Sequence, residues 1–357
     1  MSTLKVRNPQ CRLAELGLVM DGSLRMAALL GLPQFLADHG LDPDAEIRRT
    51  GCDSTLFQNP ENTIDFTAVG RLLDHTATVT GCPCTGFELT RHQGLDVFGV
   101  LGNAMRLAPD LGTALNTLIR AFHLHDRGAI PFLETAAGKA TFGYTIYCPD
   151  IPGVNQIYDG ALAICQNFLT ELAGRDWRAS EVRLVCETPG DIGPYRRHFR
   201  TKMLFGAEQA AIVFPSAYLA RPLADANPAA YAKALKDLER MDEASGSFLA
   251  SKVLRVLRRH LVSSAGPDGI DLQKVAWIFA MHPRTLNRRL RDERTTFAAL
   301  LAKARYEIAR QLLRDTQLRI SEISYLLGYA HSASFDKAFR RWSGMTSTSW
   351  RASHGED

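Results

Sequence analysis

Residues 271–293, DLQKVAWIFAMHPRTLNRRLRDE, decide how the C-terminal half of this chain folds. Asp271 is a good N-cap, and behind it Leu272, Val275, Ala276 and Phe279 recur on one face of a short helix. A brief turn at Ala280, Met281 and His282 leads to Pro283, a residue suited to the first position of the next helix. That helix buries Leu286 and Leu290 and turns Arg284, Asn287, Arg288 and Arg291 outward. The same design returns in 320–342, ISEISYLLGYAHSASFDKAFRRW. There Ile320, Ile323 and Leu327 face inward, Gly328 ends the helix, and Ser332 is expected to cap a second one. Phe335, Ala338 and Phe339 form its inner face, while Asp336, Lys337, Arg340 and Arg341 point out. A longer helix over 296–314 joins the pairs, with Phe297, Leu300, Leu301, Ala304, Ile308 and Leu312 along one stripe.

Charge is divided in the same way as pattern. The chain of 357 residues carries a net charge of +4, but residues 251–351 hold 19 Lys+Arg against 8 Asp+Glu. Residues 1–250 hold 23 basic and 28 acidic side chains, so a basic module follows a mildly acidic body. Such a module suits a polyanion. A helix fits the major groove of duplex DNA, where Arg can take guanine and Asn can take adenine by paired hydrogen bonds. Two units on one stiff helix would enter successive major grooves, roughly 34 Å apart. The blander reading is a helical bundle whose arginines are merely solvated.

Residues 270–351 resemble the DNA-binding domain of the AraC/XylS family of transcription regulators. The matching segments are VAWIFAMHPRTLNRRL, FAALLAKARYEIARQLL, ISEISYLLGY and SASFDKAFRRWSGMTSTSWR, the last being the most specific. The resemblance implies promoter binding, commonly with activation of RNA polymerase. It places base-reading positions on Arg284, Asn287 and Arg288 in the first unit, and on Ser332, Ala333, Asp336 and Lys337 in the second. Arg340, Arg341 and Arg289 are the implied phosphate partners. Three positions depart from the family's habit: His282 stands where Ser usually caps, Arg294 where Gly is common, and Ser347 where Pro is common.

The first half reads as mixed α+β. Helical spacing covers 12–40, through Leu16, Leu24, Ala28, Leu32 and Phe35, and further helices are expected over 62–80, 111–124 and 156–173. Period-two alternation marks strands at 140–147 and 181–187, so an antiparallel sheet is expected. Pro222, Asn227 and Pro228 punctuate the chain, a polar helix spans 229–243, and small residues break the pattern at Ala244, Ser245, Gly246 and Ser247. The expected division is therefore 1–222 as a regulatory domain, 223–246 as a linker and 247–357 as the double helix-turn-helix domain. More loosely, residues 20–220 resemble the arabinose-binding-like sensor domain found in the ornithine-responsive and mycobacterial virulence regulators. That likeness implies a small-molecule effector and self-association as a homodimer; control by a protein partner is the alternative.

Within this half the aromatics Phe98, Phe122, Phe142, Tyr144, Tyr147 and Tyr158 are candidates for pocket or core, and Phe98, His123 and Tyr144 are singled out as effector contacts. His123-Leu124-His125-Asp126, if extended, would point both imidazoles to one side, but spacing offers no third metal ligand. Cys82-Pro83-Cys84 lacks the two-residue spacer of redox and zinc pairs. No GxxxxGK, GxGxxG, HExxH or GxSxG is found, and the zinc-bound cysteine cluster of methyl-accepting DNA-repair regulators is missing. No enzyme, cofactor or metal is expected. Apolar runs stop short of a membrane span and MSTLKVRNPQ has no export signal, which points to the cytoplasm.

Overall fold

Leu24, which helical spacing would put on a helix, lies in strand β1 (Ser23–Arg25), opposite Ile64 of β2 (Thr63–Asp65) in a two-stranded antiparallel sheet. The computed structural model describes residues 22–354, apart from 147, 149–150, 175, 245–248, 263–269 and 280. The helix expected over 12–40 shrinks to α1 (Leu32–Asp38), because the backbone of 23–25 finds its partners in β2 and Pro33 suits only a first turn. Residues 12–21 of that expectation lie outside the described residues, as do Tyr147, Ala280 and the small-residue break at 245–247.

The contacts form two units, 22–244 and 249–354, each with its own core. The first opens with α2 (Pro43–Arg49), whose N-cap Asp42 accepts from Asp44 N, and α3 (Phe66–Thr80). Residues 63–65 of the helix expected at 62–80 are strand, and Asp65 caps what remains. Then come α4 (Thr85–Thr90), α5 (Val100–Leu107) and α6 (Leu111–Ala121), which runs on into a 3-10 turn at Phe122–Leu124.

Strands β3 (Ala129–Ala136), β4 (Lys139–Ile146), β5 (Glu181–Arg183), β6 (Lys202–Leu204) and β7 (Ala210–Pro215) form one sheet in the order β3-β4-β7-β5-β6. All neighbours are antiparallel except β5 and β6. The strand expected over 181–187 stops pairing with β7 after Arg183, although Leu184 and Cys186 stay buried. Helix α7 (Val154–Ala173) crosses this unit, and α8 (Gly193–Phe199) follows it. Helix α7 and α4 approach closely at Gly86, where a β-carbon would meet the Gln156 carbonyl oxygen at 1.9 Å. Only glycine allows that crossing. The stretch 223–246 contains α9 (Pro228–Ala244), which is packed on this unit with Ala234 and Leu238 in its core.

The second unit is all helix among the described residues: α10 (Leu249–Val262), α11 (Leu272–Ile278), α12 (Pro283–Asp292), α13 (Phe297–Asp315), α14 (Ile320–Leu326), α15 (Ser332–Ser343) and α16 (Ser347–His354). Leu300 and Ala304 of α13 join a core with Val275, Leu286 and Leu290. One to three turns later Ile308, Ala309 and Leu313 join another with Ile323, Phe335 and Phe339. At 1.5 Å per residue the helix is roughly 28 Å long. The Arg258–Glu307 pair, 2.8 Å apart and buried on both sides, ties α10 to it. Glu293 accepts from Leu249 N and Ala250 N at 2.8 and 2.7 Å, satisfying donors that the start of α10 would otherwise leave open.

Candidate nucleic-acid interface and effector cavity

Helix α12 starts on His282, whose Nδ1 accepts from Arg284 N at 3.2 Å, so the imidazole does the work of a capping hydroxyl. Leu286 and Leu290 are wholly buried, which fixes the rotation of the helix and leaves Arg284, Arg288 and Arg289 exposed, with Asn287 half-buried. In the second unit the cap is His331, not Ser332, and it offers no side-chain bond. The chain enters the helix one residue early because Ser334 N and Phe335 N already donate to the His331 carbonyl. Ser332 is half-buried on the first turn, with Ala333 and Lys337 exposed beside it and Arg340 and Arg341 exposed one turn on.

Asp336 behaves differently from its neighbours. Its Oδ1 accepts from Ser347 N at 2.8 Å and from Ser347 Oγ at 2.7 Å, so this carboxylate anchors α16. Arg294, at the position where glycine is common, has a φ of +57° in the left-handed region.

In the first unit a cavity of about 70 Å³, measured by where the centre of a water molecule can go, lies between the sheet and helices α3, α4, α6 and α7. Phe98 and Tyr144 line it, together with Phe122, Phe142 and Phe168. Tyr158 instead lies in the core, its hydroxyl accepting from Ile146 N at 3.2 Å. His123 is not among the lining residues; its Nε2 pairs with Asp242 Oδ1 of α9 at 2.8 Å. Of the His123-Leu124-His125-Asp126 run, it is His125 and Asp126 that line the cavity. An extended HLHD would have aligned the two imidazoles, but the 3-10 turn at Phe122–Leu124 makes them diverge. Asp126 is buried and accepts from Tyr144 Oη at 2.5 Å, Gly128 N at 2.6 Å and Ala129 N at 3.1 Å. Burial raises its carboxyl to about 6 against the pull of those donors. Burial, and next the Arg25 charge, lower the His125 imidazole to about 3, so it is neutral.

Helix α6 and the turn after it therefore present two working faces. Leu118 and Phe122 face the cavity, while Thr117 Oγ1 meets Tyr231 Oη of α9 at 2.7 Å and His123 meets Asp242. Elsewhere, the Cys82 and Cys84 sulfurs lie 3.8 Å apart on the turn before α4. Among the described residues no helix is long and apolar enough to cross a membrane.

Comparison with known proteins agrees with this geometry. Residues 40–223 match the arabinose-binding N-terminal domain of AraC transcription regulators, and residues 275–353 match a helix-turn-helix domain model. The chain belongs to the AraC family of transcription regulators, and it is a DNA-binding regulator rather than an enzyme. It is 28% identical over 338 residues to the HTH-type transcriptional regulator VirS of Mycobacterium tuberculosis, covering 94% of this chain and 98% of that one. It is 26% identical over 324 residues to the Ornithine utilization regulator of Pseudomonas aeruginosa, covering 90% and 94%. Among solved structures, the transcriptional regulator CdpR from Pseudomonas aeruginosa aligns with 98% of this chain and 100% of its own, at 22% identity and a TM-score of 0.42.

Proposed function

We propose that the chain is a cytoplasmic one-component regulator in which a small molecule bound in the N-terminal unit controls how residues 247–357 engage a promoter. The observation that carries this reading is the double face of α6 and its turn. Leu118 and Phe122 would feel an occupant of the cavity, and Thr117 and His123 grip α9, the last described helix before 249–354. An effector acts as a switch only if it favours one arrangement over the other, and this coupling gives it a means to do so. A cavity of this kind favours a metabolite over a protein partner as the controlling signal.

On DNA, Arg284, Asn287 and Arg288 read one major groove, and Ser332, Ala333 and Lys337 read the next. Arg289, Arg340 and Arg341 meet phosphates; their exposure and their lack of a carboxylate partner among the described residues support that role. Asp336, tied to Ser347, supports the second reading helix instead of reading from it. Activation through RNA polymerase and self-association through the first unit follow the family's habit. Gel-shift titration on the promoter adjoining the gene tests the DNA assignment. Arg288→Ala should lose about 1–3 kcal/mol at one base step and relax preference there. If the variant keeps the parent's preference at every position, the assignment is wrong.

A further inference from the structure

The cavity's charged lining is a single carboxylate, Asp126, and that restricts what can enter it. Its walls are chiefly aromatic and aliphatic, with Phe98, Phe122, Phe142 and Phe168 among them, and no Lys or Arg lines it among the described residues. Three polar side chains at its edge are already bonded. Tyr144 gives its hydroxyl proton to Asp126, Thr90 Oγ1 is bonded to the Gly86 and Gly160 carbonyls, and the Gln156 amide is bonded to Pro83 O and Gly86 N. Two groups keep an acceptor, the Asp126 carboxylate and the neutral His125 imidazole. Asp126 carries a carboxylate that forms no ion pair among the described residues, since nearby Arg25 is bonded to Glu61 and to the Val97 carbonyl. His125 is 6% exposed, and its Nδ1 has no hydrogen-bond partner.

We propose that this cavity binds a small organic amine, its apolar body among the phenylalanines and its ammonium donating to Asp126 and to the neutral imidazole of His125. The proposal rests on the effector reading given above and names the ligand's chemistry. A buried carboxylate without a counter-ion is costly, and an incoming cation offsets that cost. The surrounding ring faces add cation–π attraction. A carboxylate ligand would instead meet the like charge of Asp126, so acids and zwitterionic amino acids are disfavoured. The space equals on the order of five water molecules, which suits a body of benzyl or branched-alkyl size.

The test uses the full chain and four probes of one shape: benzylamine, benzyl alcohol, benzoate and toluene, each titrated at neutral pH by calorimetry and by thermal shift. Benzylamine should bind saturably and at least tenfold more tightly than benzyl alcohol, with benzoate silent. Asp126→Asn should cut benzylamine binding at least tenfold while leaving benzyl alcohol unchanged. The wild-type rank order needs no variant, so it decides the matter even if Asp126→Asn fails to fold. Benzyl alcohol, toluene or benzoate binding as tightly as the amine overturns the amine assignment and leaves the effector reading standing. Silence from all four also overturns it, and effector control is then judged separately by whether DNA affinity responds to a wider metabolite panel.

Discussion

Asp336 and Ser347 are joined twice, the carboxylate Oδ1 taking both the backbone N–H and the side-chain hydroxyl of the serine. The bond closes the last helix onto the second reading helix, at a place where the family commonly has a proline with no N–H to satisfy. Replacing Asp336 by Ala or Ser347 by Ala should each cost about 1–2 kcal/mol of stability. The double variant should cost less than the sum, which a double-mutant cycle by denaturant unfolding reads directly. Asp336→Ala should also weaken binding to all operators alike, without a change of preferred base.

Arg294 occupies a left-handed backbone position between α12 and α13, with φ +57°. A side chain pays steric strain there that glycine does not. Arg294→Gly should therefore raise stability by about 0.5–1 kcal/mol, even after glycine's greater unfolded-state freedom is counted. A melting temperature equal to or below the parent's contradicts this account.

The buried titratable groups of the first unit set opposing pH dependences, His125 and Asp126 at the cavity and Asp159 beside Tyr195. His125, held near 3 by burial, stays neutral in the folded chain while the unfolded chain protonates it below about 6.5. Its contribution thus raises stability as pH climbs from about 3 to 6.5. Asp126 and Asp159, both raised to about 6 chiefly by burial, keep protons that the unfolded chain has released above about 4, so they lower stability over roughly pH 4–6. His125→Gln removes only the first effect. Unfolding at pH 5 and pH 7.5 should show the variant gaining about 2 kcal/mol at the lower pH relative to the parent. An unchanged difference would mean that the imidazole is not held neutral.

Thr117 of α6 meets Tyr231 of α9, and Asp242 of α9 meets His123 on the turn that follows α6. Thr117→Val and Asp242→Asn should leave effector binding and basal DNA binding each within about threefold of the parent, yet shrink the effector's influence on DNA affinity. Coupling between sites is typically about 1–3 kcal/mol, so a loss of half or more is measurable by titrating DNA with and without effector. Full retention of the response in both variants argues that the signal takes another route.

The helix pairs were legible because their instructions are local: Asp271, Pro283 and Gly328 punctuate them, and Leu286, Leu290, Phe335 and Phe339 recur at helical spacing within a dozen residues. Leu24 misled because residues 24, 28 and 32 are buried whether the chain is helix or strand, and only pairing with Ile64, forty residues away, chooses between them. The cavity was half legible. Phe98 and Tyr144 stand out as aromatics, but whether His123 or His125 turns inward depends on a 3-10 turn and on Asp242, more than a hundred residues later. Asp336 lies on the outer face as expected, but its bond to Ser347 is a tertiary contact that no helical wheel displays.

Because one rod, α13, belongs to both C-terminal cores, the protein carries its own ruler. The interval between the two helix pairs is set by covalent length and packing, not by flexible tethering. DNA with half a helical turn, about five base pairs, inserted between the stretches they contact would rotate the second out of reach to the opposite side of the duplex. On the two-groove reading proposed above, spacing as much as base identity would be part of the address.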